Sequence, residues 1–268
     1  MLMGLGRLGN PCAFLTRREK CVDVAYANFF ECSPKVRYLA VVISLLDTGM
    51  EGPTAEERKA EEQRRKMVEW QIERRGIHEE RVLQAMRDVP RHEFVPRELR
   101  ETAYDDCALP IGFDQTISQP YIVALTLAHL ALNAEDRVLE VGAGSGYQAA
   151  ILSRLVAQVF AIEIVEELVL RATFDLHRLH YNNVLIRNGD GYQGWLESAP
   201  FDSIAVAAAL DHVPQPLVNQ LRTGGRMVIP IGNAFGQQLM LVEKGMDGAR
   251  MRPLCSVRFV PFTRKATD

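Results

Sequence analysis

Val138-Leu-Glu-Val-Gly-Ala-Gly-Ser-Gly-Tyr147 is the stretch on which the fold turns. Residues 137–141 read as a short buried strand and 146–155 as a helix. Between them Gly142, Gly144 and Gly146 let the backbone turn sharply and approach a ligand with no Cβ in the way. Working outward, the spacing predicts further strands at 158–162, 184–187, 203–206 and 227–231, with helices at 120–132, 165–180 and 216–221. Pro120 suits a first helical turn, and Gly224-Gly225 is expected to stop the last helix. Strand–helix alternation implies an α/β architecture: a doubly wound, mostly parallel sheet with helices on both faces. Residues 238–242 and 256–260, with no helix between them, are expected to form an antiparallel C-terminal pair.

In such a sheet the glycine turn lies at the carboxyl end of the first strand, where nucleotides bind. A dinucleotide fingerprint would carry its third glycine at 147, which is Tyr147, and no Walker lysine follows. G-x-G-x-G, with Glu140 two residues ahead of Gly142, suits a nucleoside without a pyrophosphate, and S-adenosylmethionine is the natural candidate. Glu163, ending the second strand, can accept both ribose hydroxyls, or serve only as a charge at a helix N-terminus. Asp190, in Gly189-Asp-Gly191, can accept from the adenine amino group, or serve only as a turn residue. Three such features at successive strand ends favour the adenosine reading.

From residue 67 to 264 the chain resembles the protein-L-isoaspartate O-methyltransferase family. The resemblance is carried by Arg91-His-Glu-Phe-Val-Pro96, Leu109-Pro-Ile-Gly112, Gln115-Thr-Ile-Ser-Gln-Pro120, the glycine stretch, Gly189-Asp-Gly-Tyr-Gln-Gly194, Ile229-Pro-Ile-Gly232 and Phe259-Val-Pro261. It implies an S-adenosylmethionine-dependent methyltransferase fold. It also implies methyl transfer to the free carboxylate of L-isoaspartyl residues in damaged proteins or peptides, the ester then collapsing to a succinimide. On the same resemblance Ser118 takes the active-site serine position, and Gln115, Thr116 and Ile117 form the loop over the cofactor. Glu140, Gly142, Ala143, Gly144, Gly146, Glu163, Asp190 and Gly191 take cofactor positions. The chain departs from the family pattern at Ile164, where Arg is usual, at His180, where Gly is usual, and at Leu210, where Pro is usual.

A carboxylate acceptor, with an ordinary pKa of about 4, is already ionised at neutral pH and needs no strong base. That agrees with the lack of a His-Asp or Cys-His constellation near these motifs. Ser118 would orient the acceptor by a hydrogen bond, or cap the helix opening at Pro120. His212 is expected to be an exposed loop residue, Cys107 a packing residue, and Trp70 and Trp195 core or helix-covering residues.

Composition bounds the alternatives. The 268 residues carry 31 Lys and Arg against 34 Asp and Glu, without the basic excess of a nucleic-acid binder. Five cysteines include no CxxC pair and no His at zinc spacing, so no metal site is read, and a reducing cytoplasm fits scattered thiols. The longest apolar run, residues 38–46, is far short of a membrane span. Residues 1–66 are expected to be an extension, a poorly ordered tail followed by a charged helix with Glu61–Arg65 and Glu62–Lys66 pairs. The catalytic domain is then 67–268, with an N-terminal helical subregion over 67–118, acting as a monomer. Two other readings stay open: a related methyltransferase with a small-molecule acceptor, and a catalytically silent S-adenosylmethionine-binding module.

Overall fold

The computed structural model describes Gly52 and residues 54–264, so the expectation for residues 1–49 lies outside the described residues. A compact unit begins at Ala55. The charged helix α1 (Ala55–Lys66) opens this unit. Lys66 pairs with Glu62 at 3.1 Å as expected, but Arg65 turns to Glu62 at 3.0 Å instead of Glu61. The two pairs are exposed and screened by solvent, so they add little to stability. The helix runs on through one wide turn, Met67–Ile72, that buries Met67, Val68 and Ile72, and the chain breaks at Gly76 with φ 93°. Helix α2 (Glu80–Asp88) buries Val82, Leu83, Ala85 and Met86 on one face.

The subregion expected to be helical to residue 118 is helical only as far as Thr102. Strands β1 (Leu109–Gly112) and β2 (Gln115–Ile117) then form an antiparallel hairpin. Its turn is Phe113-Asp114, both at positive φ, the backbone a two-residue hairpin turn demands. Neither residue announces such a turn, which is why the strand pair was not legible.

Helix α3 (Pro120–Leu130) leads into the main sheet, with Pro120 in its first turn as expected. The sheet comprises β3 (Arg137–Val141), β4 (Gln158–Glu163), β5 (Val184–Asn188), β6 (Phe201–Val206), β7 (Leu221–Asn233), β8 (Gly236–Gly245) and β9 (Gly248–Val257). Helices α4 (Tyr147–Ser153), α5 (Glu166–Arg178) and α6 (Gln215–Gln220) connect strands of the parallel part. Strand order is β5-β4-β3-β6-β7-β8-β9, parallel through β7 and antiparallel beyond it. Alternate residues of each strand enter different cores: Val138, Val159, Ala205 and Val228 join one cluster, and Leu139, Phe160, Ile204 and Met227 the other. That period of two, with both faces covered, is what continuous apolar strands require.

Two expectations near the C-terminus are corrected. Helix α6 ends at Gln220 and Gly224-Gly225 lie inside β7, where the register against β6 shifts between Leu221 and Arg226. A Cβ on Gly225 would meet the Asp202 carbonyl at 2.7 Å, so the glycines allow close strand approach rather than stopping the helix. The carbonyls at the helix end are taken instead by Lys244 of β8, which reaches Val218 O at 2.8 Å and Leu221 O at 2.6 Å. Strand β9 ends at Val257, not 260. Beyond it the Gln237 side chain accepts from Phe259 N at 2.6 Å and donates to Phe259 O at 3.1 Å, holding the chain off the ladder.

Candidate active site

The chain reverses direction across the sheet at β3, which pairs with β4 on one side and β6 on the other. Ligands bind at the carboxyl ends beside such a switch point. A cavity of about 780 Å³ opens there. Its walls include Gln115, Thr116, Ile117, Ser118, Glu140, Gly142, Ala143, Gly144, Glu163 and Gly191, ten of the site residues expected from sequence. Gly146 and Asp190 are not among the lining residues.

Gly144, at φ 54°, keeps the loop low beneath the β1–β2 hairpin; a Cβ there would touch Ile111 Cδ1 at 3.4 Å. Gly146, at φ 84°, has a packing role: a Cβ would crowd Ala172 and Leu176 of α5 at 3.2 Å. Arg171 of α5 donates to Ile111 O at 2.7 Å, tying the hairpin above the glycine loop. A Cβ on Gly191 would overlap Val141, so the third-strand turn can approach β3 only with glycine there.

Glu163 accepts from Gly144 N at 2.8 Å through one oxygen and from Ile164 N and Val165 N at 2.8 and 3.0 Å through the other. The helix-terminus role weighed from sequence is therefore real, and Oε2 keeps acceptor capacity toward the cavity. Glu140 is 1% exposed; Gln148 donates to its Oε1 at 3.0 Å, and Oε2 has no partner among the described residues. Burial, with the Glu163 charge adding to it, pushes the Glu140 carboxyl up to about 8. The cavity thus holds two carboxyl groups, Glu163 and a Glu140 that keeps its proton below about pH 8, and no Lys, Arg or His lines it.

Asp190 caps the short turn that follows, accepting from Tyr192 N at 3.0 Å, and its other oxygen pairs with Arg264 at 2.8 Å. Arg264 also covers the Tyr192 ring at 3.9 Å. Ser118 is partly exposed at the cavity mouth and its hydroxyl bonds to no other described residue. It does not cap α3: the capping position is Gln119, which makes no side-chain cap bond.

Sequence reasoning missed one whole wall, Val260, Pro261, Phe262 and Thr263. It is placed by Ala209, whose N–H donates to Val260 O and whose carbonyl accepts from Phe262 N, both at 2.9 Å. No local pattern could signal so distant a pairing. Ser145, Tyr147 and Gln148 of the glycine stretch also line the cavity and were legible by adjacency. Cys107 is exposed rather than packed, because the loop around it lies on the surface. Trp195 packs edge-on against Phe160, whereas Trp70 is 55% exposed with Arg74 stacked on its ring. His212 is exposed as expected and meets Tyr192 Oη at 2.9 Å. Leu210 explains one departure: its N–H donates to Pro230 O, which proline could not do.

Comparison with known proteins agrees with this geometry. The family model described as Protein-L-isoaspartate(D-aspartate) O-methyltransferase matches residues 62–267. Protein-L-isoaspartate O-methyltransferase 1 of Syntrophobacter fumaroxidans is 50% identical over 202 residues, 75% of this chain and 94% of that protein. Protein-L-isoaspartate O-methyltransferase 2 of Shewanella sediminis is 52% identical over 215 residues, 80% of this chain and 88% of that protein. A solved structure described as a protein-L-isoaspartate O-methyltransferase superposes with TM-score 0.67 at 30% identity, covering 74% of this chain and 65% of that one. A Plasmodium falciparum structure, described as a putative protein-L-isoaspartate O-methyltransferase in complex with S-adenosyl-L-homocysteine, gives TM-score 0.67 at 27% identity, covering 75% and 99%. The chain belongs to the protein-L-isoaspartate(D-aspartate) O-methyltransferase family.

Proposed function

We propose that this chain moves the methyl group of S-adenosylmethionine onto the free carboxylate of L-isoaspartyl residues in damaged proteins and peptides. The observation that carries the reading is the lining of the cavity: two carboxyl groups, one with a buried oxygen lacking a partner, and no cation. A ligand bearing a sulfonium and an ammonium supplies the positive charge that favours the ionised form of Glu140, and its transferable methyl is the chemistry it brings. Glu140 would hold the cationic end, and Glu163 the ribose hydroxyls through its remaining acceptor sites. Asp190 would accept from adenine while sharing its carboxylate with Arg264.

Ser118 would donate to the acceptor carboxylate and aim one oxygen at the methyl carbon. That oxygen forms the new bond as the carbon–sulfur bond breaks; sulfur keeps the electron pair and no proton moves. No general base is needed, which suits a cavity that no imidazole lines; the exposed His212 meets Tyr192 and Asp211 instead. Rate then comes from alignment and from removal of water between opposite charges. The same reading makes the enzyme a cytoplasmic monomer, in keeping with the free thiols of Cys107 and Cys255; among the described residues no helix is long and apolar enough to cross a membrane.

The test is labelled-methyl transfer to matched peptides, one with L-isoaspartate and one with L-aspartate. Selective labelling of the isoaspartyl peptide is expected. Cofactor binding with no labelling of either would turn the reading toward a small-molecule acceptor or a silent module.

A further inference from the structure

The cofactor cavity does not end at Ser118. A second cavity of about 870 Å³ shares Thr116, Ser118, Ala207 and Val260 with it. A third, of about 1280 Å³, shares Ser256 through Phe259 with the second and ends at the β7–β8 turn. The three adjoin one another along residues 256–261, and we read them as one groove. Its floor is fixed: the Gln237 amide holds Phe259 by both backbone groups, and Gln238 donates to Ser256 Oγ at 2.9 Å.

Arg258 is the only charged residue lining the second and third cavities, and it makes no ion pair within the described residues. At the far end Phe235 is 99% exposed on a turn whose shape is set by Phe235 N donating to Asn233 Oδ1 at 2.9 Å. A lone unpaired guanidinium and a bare phenyl ring along a groove that begins at the acceptor serine are groups waiting for a ligand.

We propose that this groove takes the polypeptide flanking the acceptor residue, with Arg258 selecting an acidic side chain near the methylated carboxylate and Phe235 an apolar one farther along. The inference rests on the acceptor reading above and names the sequence preference of that same site. An acceptor inside a polypeptide must let the chain leave the transfer point, and the groove is continuous with that point. Its single cation sets the sign of the preference. Arg258 and Phe235 are specificity residues and touch no reacting atom.

The experiment uses the full chain with saturating S-adenosylmethionine and six isoaspartyl peptides. Two pairs differ by Glu against Lys, one at the residue before the isoaspartate and one at the residue after it, and the third pair differs by Phe against Ser farther along. Wild type is expected to prefer Glu over Lys by roughly threefold in kcat/KM, the range of an exposed ion pair. Arg258→Glu should invert that order, and Phe235→Ser should equalise the Phe and Ser peptides. Each result is a ratio within one enzyme preparation, so loss of folded protein cannot mimic it. Identical ratios in wild type and both variants, with isoaspartyl peptides still methylated, would overturn the groove alone. No transfer by wild type to any of the peptides would overturn the acceptor reading, and the groove with it.

Discussion

The two halves of the sheet build the site by different rules. In the parallel half successive strands hand residues to the cavity: Glu140 of β3 and the glycine loop after it, Glu163 at the end of β4, Gly191 after β5 and Ala207 after β6. Strand, turn and helix there follow one another in sequence, so position along the chain already places the side chain. In the antiparallel half the cavity wall of Val260 to Thr263 depends on a bridge to Ala209 some fifty residues earlier, and on the Gln237 side chain standing in for backbone. Binding chemistry is thus concentrated where local rules hold, and enclosure where long-range pairing does the positioning. Perturbing the first half should cost affinity and turnover; perturbing the second should cost stability first.

Glu140→Gln tests the first half with the largest expected effect. The amide keeps its shape and its Gln148 contact but loses the buried charge. S-adenosylmethionine affinity by calorimetry should fall by roughly 2–4 kcal/mol, the cost of unpairing a buried charge. Unchanged affinity would remove Glu140 from the site. The pH dependence has a definite sign. The folded carboxyl, raised to about 8 from 4.5, binds its proton more tightly than in the unfolded chain. Its contribution to stability without cofactor is therefore complete below pH 4.5 and lost as pH rises toward 8. Cofactor affinity should rise over the approach to pH 8 as the carboxylate ionises, and Glu140→Gln should flatten both trends.

Ser118→Ala should come next. A hydrogen bond to a charged acceptor is worth about 1.5–3 kcal/mol, so kcat should drop roughly 10- to 100-fold with cofactor affinity within about twofold. Because Ser118 does not cap α3, melting temperature should hardly move. Unchanged turnover would leave the serine without a role. Asp190→Ala should weaken cofactor binding by about tenfold, a smaller effect because Arg264 and Tyr192 N already hold the carboxylate.

Gln237→Ala reverses the pattern. It frees both backbone groups of Phe259, so denaturant unfolding should show a loss of about 1–2 kcal/mol. Cofactor affinity should weaken only about twofold to fivefold. If affinity falls as far as in Glu140→Gln, the division between binding and enclosing halves is wrong.

What was legible in the sequence follows the same division. The strands and helices of the parallel half come from periodicity and glycine spacing, and the family resemblance adds the loop at 115–118; ten of the twelve residues singled out from sequence line the cavity. The β1–β2 hairpin was not legible because Phe113 and Asp114 carry a turn that glycine or asparagine would have signalled. Gly224-Gly225 misled because glycine serves equally at a helix end and at a strand bulge, and only the Asp202 carbonyl above Gly225 decides between them. Strand β9 was placed too late because the pairing of Phe259 with a side chain resembles, in sequence, a strand that continues.

The smallest predicted effect concerns a departure that the structure explains. Helix α5 closes with Tyr181 N donating to Leu176 O at 2.9 Å and His180 N to His177 O at 3.1 Å, the paired bonds of a helix end that needs a left-handed residue. That residue is His180, at φ 62°. Tyr181 after it is buried, so the geometry is held by packing although the Cβ of His180 resists it. A left-handed conformation costs a residue with a Cβ about 1–2 kcal/mol. Glycine removes that cost but gains back about 0.5–1 kcal/mol of unfolded-chain entropy. The His180 side chain is exposed, so its loss leaves no cavity. His180→Gly should therefore stabilise the fold by about 0.5 kcal/mol, a melting-temperature rise of roughly 1–2 °C for a unit of this size, with cofactor affinity unchanged. A fall in melting temperature would mean that the imidazole contributes more than the strain it carries, and that this helix end is held by its side chain rather than by its backbone.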